Sequence, residues 1–251
     1  MRGKVLLLGR AQTVIYTEVQ GISHVPAAKE WDGAQRFKQG LESGGFRIDH
    51  ISATCAPVDF PETMEELRAY DAIVVGDIAA DTLLLHPEVV YECIPHPNRL
   101  ELMREYVREG GGLVMTGGWL TFQGIDGKGR WHGTPVEEIL PVEILSCDDR
   151  VECPQGIRPS VGSVDHPVLR NVPADWPRFL GYSRTKARDG AQVLMTIGKD
   201  PFLAVGRFGK GRSVAFASSL GPHWGGMKEY LSWEGHDIFW CNVVNWVRGN
   251  S

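Results

Sequence analysis

Apolar positions along the chain form short continuous runs that alternate with segments in which apolar residues recur at helical spacing. The continuous runs are typical of strands that are buried on both faces of a parallel sheet. The intervening segments place apolar residues three and four positions apart, as an amphipathic helix does. The predicted strands comprise residues 4–9, 46–51, 71–75 and 113–116. The alternation predicts an α/β protein with a right-handed, mostly parallel, doubly wound sheet.

Several of the predicted helices have recognisable ends. Thr63 and Glu66 have the spacing of a capping box, in which each residue satisfies a backbone N–H at the start of a helix. Asn98 is placed to cap the helix that ends at Gly110, and an earlier helix is predicted to end at Gly44. These boundaries fix where the connections between helices and strands begin.

Two long connections separate these elements. Residues 11–30 follow the first strand with weak periodicity, and residues 79–97 follow the third. We predict that both are loops, and loops of this length inside a compact domain are usually functional or mobile.

The pattern changes after Trp131. Residues 135–145 fit a short helix and strand, whereas residues 148–163 are predicted to be irregular. We expect a single domain over residues 1–251 with an irregular excursion at about 132–190. Strands are then predicted at residues 192–197, 202–207 and 213–218, and a glycine turn joins the last two as an added C-terminal β-hairpin.

Composition and charge exclude several classes of protein. The 251 residues have near-average apolar and charged fractions, which indicates a globular protein. The net charge of −5 and a pI near 5.9 argue against a dedicated nucleic-acid binder, because no clustered basic face is present. No apolar stretch has the length of a membrane span, and the first apolar run is too short for a signal peptide. We therefore expect a cytoplasmic protein with no membrane partner.

The five cysteines do not indicate a disulfide framework. Their number is odd, and they include no CxxC pair. Cys147 and Cys153 have a poor spacing for metal ligands, and Cys241 lies in an apolar helical pattern. We expect free thiols in a reducing compartment, with no metal and no cofactor.

Glycine turns follow the predicted central strands, and each turn carries a distinctive side chain. Gly9 precedes Arg10, Gly76 precedes Asp77, and the strand that ends at Thr116 leads through two glycines to Trp119. Ligands of open α/β sheets bind outside the carboxyl ends of the strands. We predict that these strands are neighbours and that the three side chains meet at one edge of the sheet.

A set of short motifs occurs along the chain in a fixed order. The motifs are Asp77-Ile78 with Thr82-Leu83-Leu84-Leu85, Gly110-Gly111-Gly112-Leu113 through Phe122-Gln123-Gly124, Thr134-Pro135-Val136-Glu137-Glu138 to Leu140-Pro141-Val142, Asp165-His166-Pro167-Val168-Leu169, Leu180-Gly181-Tyr182, Gly209-Lys210-Gly211-Arg212 and Gly221-Pro222-His223-Trp224. Each motif is weak alone, but the ordered set is specific and covers nearly the whole chain. The set resembles the glutamine amidotransferase-like proteins of the class I amidotransferase superfamily. The resemblance implies a flavodoxin-like, three-layer α/β/α sandwich.

The sequence departs from the family's chemistry at two positions. Class I amidotransferases place a nucleophilic cysteine on the turn after the central strand, and that turn here carries Trp119. His223 resembles the family's histidine, but Gly225 stands where the partner carboxylate is expected, and spacing favours neither Glu229 nor Glu234 as a substitute. Cys93 reaches such a site only if residues 79–97 fold over it. We therefore expect no cysteine-dependent glutaminase activity.

The remaining candidate site is a polar pocket at the ends of the strands. His223 is the candidate catalytic residue, and the candidate ligand-binding residues are Arg10, Asp77, Gly118, Trp119, Gln123 and Trp224. Three of them have a structural alternative: Asp77 caps the following turn, Arg10 pairs with a surface carboxylate, and His223 is a hydrogen-bonded structural histidine. His132 and His166 fit structural roles better.

Three classes of function stay open at this stage. The first is a protein without glutaminase activity that binds a small polar ligand, such as a sugar, an amide or an amino acid, with Trp119 as a stacking surface. The second is a hydrolase or related enzyme that uses His223 as general base with Asp77 or Glu234. The third is a non-catalytic subunit of a larger assembly, and a homo-oligomer is also left open. A perturbed pKa of His223 together with a carboxylate within hydrogen-bond reach would favour the enzyme, whereas a closed, apolar pocket mouth would favour assembly.

Overall fold

The computed structural model describes residues 2–163 and 165–249, which form fourteen strands and nine α-helices in the described chain. The strands are β1 (Gly3–Gly9), β2 (Ala11–Gln20), β3 (Ser23–Asp32), β4 (Phe46–Ile51), β5 (Ala72–Gly76), β6 (Gly112–Thr116), β7 (Val142–Ile144), β8 (Arg150–Ile157), β9 (Ser160–Val161), β10 (Phe179–Ser183), β11 (Thr185–Ala187), β12 (Gln192–Ile197), β13 (Asp200–Phe208) and β14 (Gly211–Phe216). The helices are α1 (Gln35–Ser43), α2 (Ala56–Asp59), α3 (Met64–Leu67), α4 (Asp81–Leu84), α5 (Pro87–Glu92), α6 (Arg99–Glu109), α7 (Pro135–Ile139), α8 (Pro222–Gly225) and α9 (His236–Val247).

An eight-stranded sheet runs through the centre of the protein in the order β4-β1-β5-β6-β14-β13-β12-β9. The first five strands pair in parallel, and their order is that of a flavodoxin-like doubly wound sheet. The predicted C-terminal hairpin is present as β13 and β14. The strand predicted at residues 192–197 is β12, which pairs with β13 in the same sheet, and β9 extends the antiparallel part beyond the predicted strands. The predicted fold class is therefore confirmed.

The central strands fill two cores, one on each face of the sheet. Successive strand residues point to opposite faces. Val5 and Leu7 of β1 therefore join the core that includes α1 and α9, whereas Leu6 and Leu8 join the core that includes α3 and α6. Burying each such side chain contributes about 1.5–3 kcal/mol relative to exposing it. The two cores make the α/β/α sandwich.

The predicted helix starts at Thr63 and Asn98 are confirmed. Glu66 N donates to Thr63 Oγ1 at 3.3 Å, and Thr63 N donates to Glu66 Oε2 at 3.0 Å, which completes the capping box of α3. Asn98 Oδ1 accepts from Leu100 N at 3.1 Å and from Glu101 N at 3.3 Å at the start of α6. The capping signals in the sequence therefore locate both helix ends.

The prediction of a loop at residues 11–30 is wrong. Strands β2 and β3 pair over their whole length as an antiparallel hairpin. The pattern gave little sign of it because both faces of the hairpin are exposed, so neither face needs to be apolar. Its apolar side chains also face solvent, and Ile22 at the tip is fully exposed.

Two other segments are more regular than expected. Residues 79–97 contain the short helices α4 and α5, and residues 148–163 contain β8, which pairs with β10, and the edge strand β9. The segment 132–190 lies mostly outside the main sheet, where β8 pairs with β10 and β7 pairs with β11. None of the described helices is long and apolar enough to cross a membrane.

Five of the eight tryptophans are buried, and Trp119 alone among the eight is exposed. An assembly surface built from several tryptophans would need more of them at the surface. Their distribution instead places most of the indole area in the two cores.

Candidate functional site

Strands β1, β5 and β6 are neighbours, and their carboxyl ends meet at one edge of the sheet. Gly9 is in register with Gly76, and Gly76 is in register with Thr116. This confirms the predicted arrangement of the strands. Arg10 and Asp77, which follow β1 and β5, have φ angles of +57° and +51°. This left-handed conformation is uncommon for residues with a side chain and turns the chain sharply at the sheet edge.

A buried ion pair joins Arg10 to Asp77 at this edge. The guanidinium Nη1 donates to Asp77 Oδ2, and the Arg10 side chain is only 2% exposed. Burial lowers the pKa of Arg10, and the Asp77 carboxylate opposes that shift. Neither Nε nor Nη2 of Arg10 has a hydrogen-bond partner within the described chain. Arg10 therefore brings unpaired donors to the edge of the sheet.

Asp77 also holds the turn that follows β6. Its second oxygen, Oδ1, accepts from Leu120 N at 2.9 Å. A Cβ on Gly118 would lie 2.7 Å from the same oxygen, so this position requires glycine. Asp77 thus cross-links the segments after β1, β5 and β6, and the turn that it holds is the one after β6 rather than the turn that follows it in sequence.

Trp119 and His223 contact each other at the same edge. Their rings meet edge to face, with centroids 5.0 Å apart and an interplanar angle of 79°. Trp119 is 46% exposed, so one part of the indole remains open to solvent. Nδ1 of His223 is buried and has no hydrogen-bond partner within the described chain. Burial and the nearby Arg10 charge lower the pKa of His223, which favours the neutral imidazole.

Trp224 packs against His223 and is buried rather than exposed to solvent. The two rings stack with centroids 4.5 Å apart, and Trp224 is buried. Its Nε1 donates to Glu152 Oε2 at 2.9 Å. Glu152 is a carboxylate near the site that the sequence did not indicate, because residues 148–163 were predicted to be irregular.

Gln123 contacts a different part of the protein. Its Oε1 accepts from His132 N at 3.4 Å, and its side chain lines a cavity with Asp81, Arg130 and His132. The structure therefore brings together Arg10, Asp77, Gly118, Trp119, His223 and Trp224, and places the Gln123 side chain beside His132.

No carboxylate in the described ranges hydrogen-bonds to His223. Asp77 binds Arg10 and Leu120, and Glu152 binds Trp224. Glu229 pairs with Arg178 at 2.9 Å, and Glu234 is exposed. The histidine thus lacks the orienting partner that a catalytic dyad or triad requires.

No cysteine of the described residues pairs with His223. Cys93 is exposed at the end of α5 and Cys147 is exposed, whereas Cys153 is buried. Within the part of the chain that the structure describes, no cysteine sulfur hydrogen-bonds to His223. A thiolate–imidazole pair is therefore not formed here.

Asp149 is a further residue that the sequence did not indicate. It is 2% exposed, and its carboxylate accepts from Gln123 N at 2.7 Å and from Gly124 N at 3.1 Å. Burial raises its pKa to about 6 despite these two bonds. Asp149 therefore anchors the backbone that follows Trp119.

The raised pKa of Asp149 predicts a pH-dependent contribution to stability. The folded protein binds this proton more tightly than the unfolded chain, whose aspartates have a pKa near 3.9. The contribution is therefore fully present below about pH 4 and is lost as pH rises through about 6. We expect the free energy of unfolding of the wild type, minus that of Asp149→Asn, to fall as pH rises across this window in urea titrations.

Asp49 provides the control for this measurement. Its hydrogen bond from Lys4 lowers the pKa of Asp49, so its contribution is present above the unfolded pKa and is lost only as pH falls. The difference between the wild type and Asp49→Asn should therefore not fall as pH rises over the same window. A difference for Asp149→Asn that does not fall either would show that Asp149 does not hold its proton in the folded state.

Solved structures of other proteins resemble the chain over nearly its whole length. Cytoplasmic Protein STM3548 from Salmonella typhimurium is 39% identical with a TM-score of 0.92, over 97% of this chain and 98% of that chain. Cytoplasmic Protein STM1381 from Salmonella typhimurium LT2 is 38% identical with a TM-score of 0.91, over 97% and 99%. A thua-like protein from Parabacteroides merdae is 14% identical with a TM-score of 0.60, over 99% and 90%, and shares the fold alone.

No curated protein sequence matches the chain significantly. The model of one family matches residues 4–249. The match spans both cores, the Trp119 turn and the His223 segment. The chain therefore belongs to the GATase1_like family, which is described as "Putative glutamine amidotransferase".

Proposed function

We propose that the protein is a family member without glutaminase activity that binds a small polar ligand, such as a sugar, an amide or an amino acid, against Trp119. The 2.9 Å hydrogen bond from Leu120 N to Asp77 Oδ1 is the main observation against glutaminase activity. In nucleophile elbows the N–H that follows the nucleophile commonly stabilises the oxyanion. Here that N–H is already bound to a carboxylate, and the preceding residue is a tryptophan.

The contacts of the His223 imidazole also disfavour glutamine hydrolysis. A general base next to a nucleophile is normally oriented by a third group. His223 instead packs between Trp119 and Trp224, and the nearby carboxylates bind other partners. The pKa of His223 is lowered, but no carboxylate of the described residues hydrogen-bonds to it, so only one of the two features expected of a His223 general base is present.

Unpaired polar atoms beside an exposed aromatic ring support ligand binding. Arg10 Nε and Nη2 and His223 Nδ1 are buried without hydrogen-bond partners in the described residues. Buried polar groups left unpaired are costly, and a ligand commonly satisfies them. The exposed part of Trp119 offers a flat apolar surface for a ring or an aliphatic chain. A ligand with hydrogen-bonding groups on an apolar frame fits both features.

We expect a thermal-shift screen over sugars, amides and amino acids to find a stabilising ligand that requires Trp119 and His223. Trp119→Ala and His223→Ala should each weaken its binding by about tenfold or more, as measured by calorimetry. His223→Ala removes ring packing against Trp119 and Trp224, and it should lower the free energy of unfolding by only about 1 kcal/mol. Tyr91→Ala, which removes an aromatic ring that is 84% exposed on α5, is the matched control and should bind normally. A ligand that binds both site variants as tightly as the wild type would refute the assignment of this site.

The protein should release no ammonia from glutamine above the rate without protein. Trp119→Cys should not restore the activity, because Leu120 N is bound to Asp77 and His223 has no carboxylate partner in the described chain. Cys93→Ala and Cys147→Ala should change no function of the protein. Ammonia release that Cys93→Ala abolishes would show that a cysteine from outside the turn serves as nucleophile.

We also propose a cytoplasmic location for the protein. The names of the two relatives that are 39% and 38% identical support this, since both are called cytoplasmic proteins. Fractionation of cells that express the chain would test it, and recovery in the membrane fraction would contradict it.

A further inference from the structure

Three side chains of types that bind transition metals meet at the start of α5, in a part of the molecule that the proposed ligand site does not use. Glu62, His86 and His96 each present a ligand atom, and the three atoms lie within 4.8 Å of one another. A second carboxylate is adjacent, because Glu88 Oε2 lies 2.8 Å from His96 Nε2. All three side chains are half-buried, so solvent reaches them.

Protein contacts orient each of these side chains. Arg99, which is only 1% exposed, forms an ion pair with Glu62 and donates to Pro57 O at 2.6 Å. His86 caps α5, and its Nδ1 accepts from Glu88 N at 3.2 Å, which leaves Nε2 for another partner. The His86 and His96 rings stack with centroids 4.0 Å apart. Contacts of this kind position metal ligands and their rings before the ion binds.

Helix α5 gives an independent reason to look for a bound ion. It contains no buried residue, and Val90 and Tyr91 are 50% and 84% exposed. Apolar packing therefore does little to hold this helix, and the cluster around His86 and His96 is its main polar attachment. An ion shared between the start of α5 and the segments before α3 and α6 would fasten it to the domain.

We propose that Glu62, His86 and His96 form a binding site for a divalent transition-metal ion of the zinc type. Imidazole nitrogens with one or two carboxylates are a ligand set that zinc accepts. Magnesium and calcium prefer sites made only of oxygen ligands, so the two histidines disfavour them. With neutral imidazoles, the two glutamates and Arg99 leave one net negative charge, which favours a cation.

Protons compete with the metal ion at this site, because an imidazole must be neutral to bind zinc. His96 lies between Glu62 and Glu88, with a carboxylate oxygen of each 2.8 Å from one ring nitrogen, so these contacts must rearrange when an ion binds. Zinc affinity should therefore fall as pH is lowered below neutrality.

Calorimetric titration of the chelator-treated protein with zinc sulfate tests the proposal. We expect about one zinc ion per chain near neutral pH, weaker binding at about pH 5.5, and no binding of magnesium under the same conditions. His86→Asn keeps a residue suited to capping α5, and His96→Gln keeps a side chain that can hydrogen-bond to the carboxylates. Each should weaken zinc binding by about tenfold or more, whereas His132→Ala, which changes an exposed histidine elsewhere, should not.

Cys93 must be tested separately because it is exposed at the end of the same helix. Cys93→Ser should bind zinc like the wild type, and the cobalt-loaded protein should show no thiolate-to-metal absorption band. Three results would each overturn the proposal: no zinc binding by the wild type, unchanged binding in both histidine variants, or loss of binding in Cys93→Ser. The circular dichroism spectrum of each variant confirms that it is folded.

Discussion

Replacing Asp77 with alanine is expected to lower the free energy of unfolding by about 3–5 kcal/mol. The variant leaves the Arg10 guanidinium, which is 2% exposed, without its counter-charge in the interior. It also removes the acceptor of Leu120 N, so a backbone N–H loses its partner as well. Urea titration measures the loss, and a decrease in the m-value would show that the unfolding transition itself has changed.

Three further variants separate the causes of this loss. Asp77→Asn keeps a residue that tolerates the φ angle of +51° and removes only the charge, so it should cost less than alanine. Asp175→Ala breaks an exposed ion pair with Arg158 and should change stability by less than about 1 kcal/mol. The combination of Arg10→Met with Asp77→Asn removes both buried charges, keeps an acceptor for Leu120 N, and should recover much of the lost stability. A stability of Asp77→Ala equal to that of the wild type would mean that water reaches and solvates Arg10.

Replacing Trp131 with alanine is expected to cost about 3–5 kcal/mol of unfolding free energy. Trp131 is fully buried in the core on the α3 and α6 face of the sheet, and its Nε1 donates to Ile78 O at 2.9 Å. The indole thus joins the segment after β5 to the segment after β6. The loss has two parts, a large cavity and an unpaired carbonyl oxygen.

Trp131→Phe distinguishes the two parts, because it fills most of the cavity and removes only the hydrogen bond. It should cost about 1 kcal/mol from the lost bond, plus a smaller packing loss. Trp119→Ala is the matched control, since Trp119 is 46% exposed on the same connection and should cost less than about 1 kcal/mol. Equal losses for Trp131→Ala and Trp119→Ala in denaturant titrations would contradict the role given to Trp131.

The buried strands and the helix ends could be predicted from the sequence because their causes are local. An apolar run such as 113–116 has to be buried on both faces, and a capping residue such as Asn98 satisfies N–H groups two and three positions along. The glycine turns at the ends of neighbouring strands likewise placed Arg10, Asp77 and Trp119 at one edge.

Contacts between distant residues explain what the sequence did not predict. Asp149 reaches back to Gln123 and Gly124, and Glu152 binds Trp224, which lies 72 positions later. The hairpin of residues 11–32 is exposed on both faces, so it leaves no burial pattern to recognise. The cluster of Glu62, His86 and His96 combines three separate segments and has no short motif. Gln123 follows Trp119 closely in sequence, but its side chain contacts His132.

The hairpin formed by β2 and β3 bears on how the protein behaves at high concentration. The two strands form a sheet of their own, so each has an outer edge with backbone groups that another extended chain can pair with. Pro26 has no N–H to offer to such a chain, and Glu18, Lys29 and Glu30 place charges along both strands. Replacing these residues with apolar ones would make the β2–β3 hairpin a template for β-aggregation. Ile15, Val19 and Ile22 are already exposed and could pack between copies.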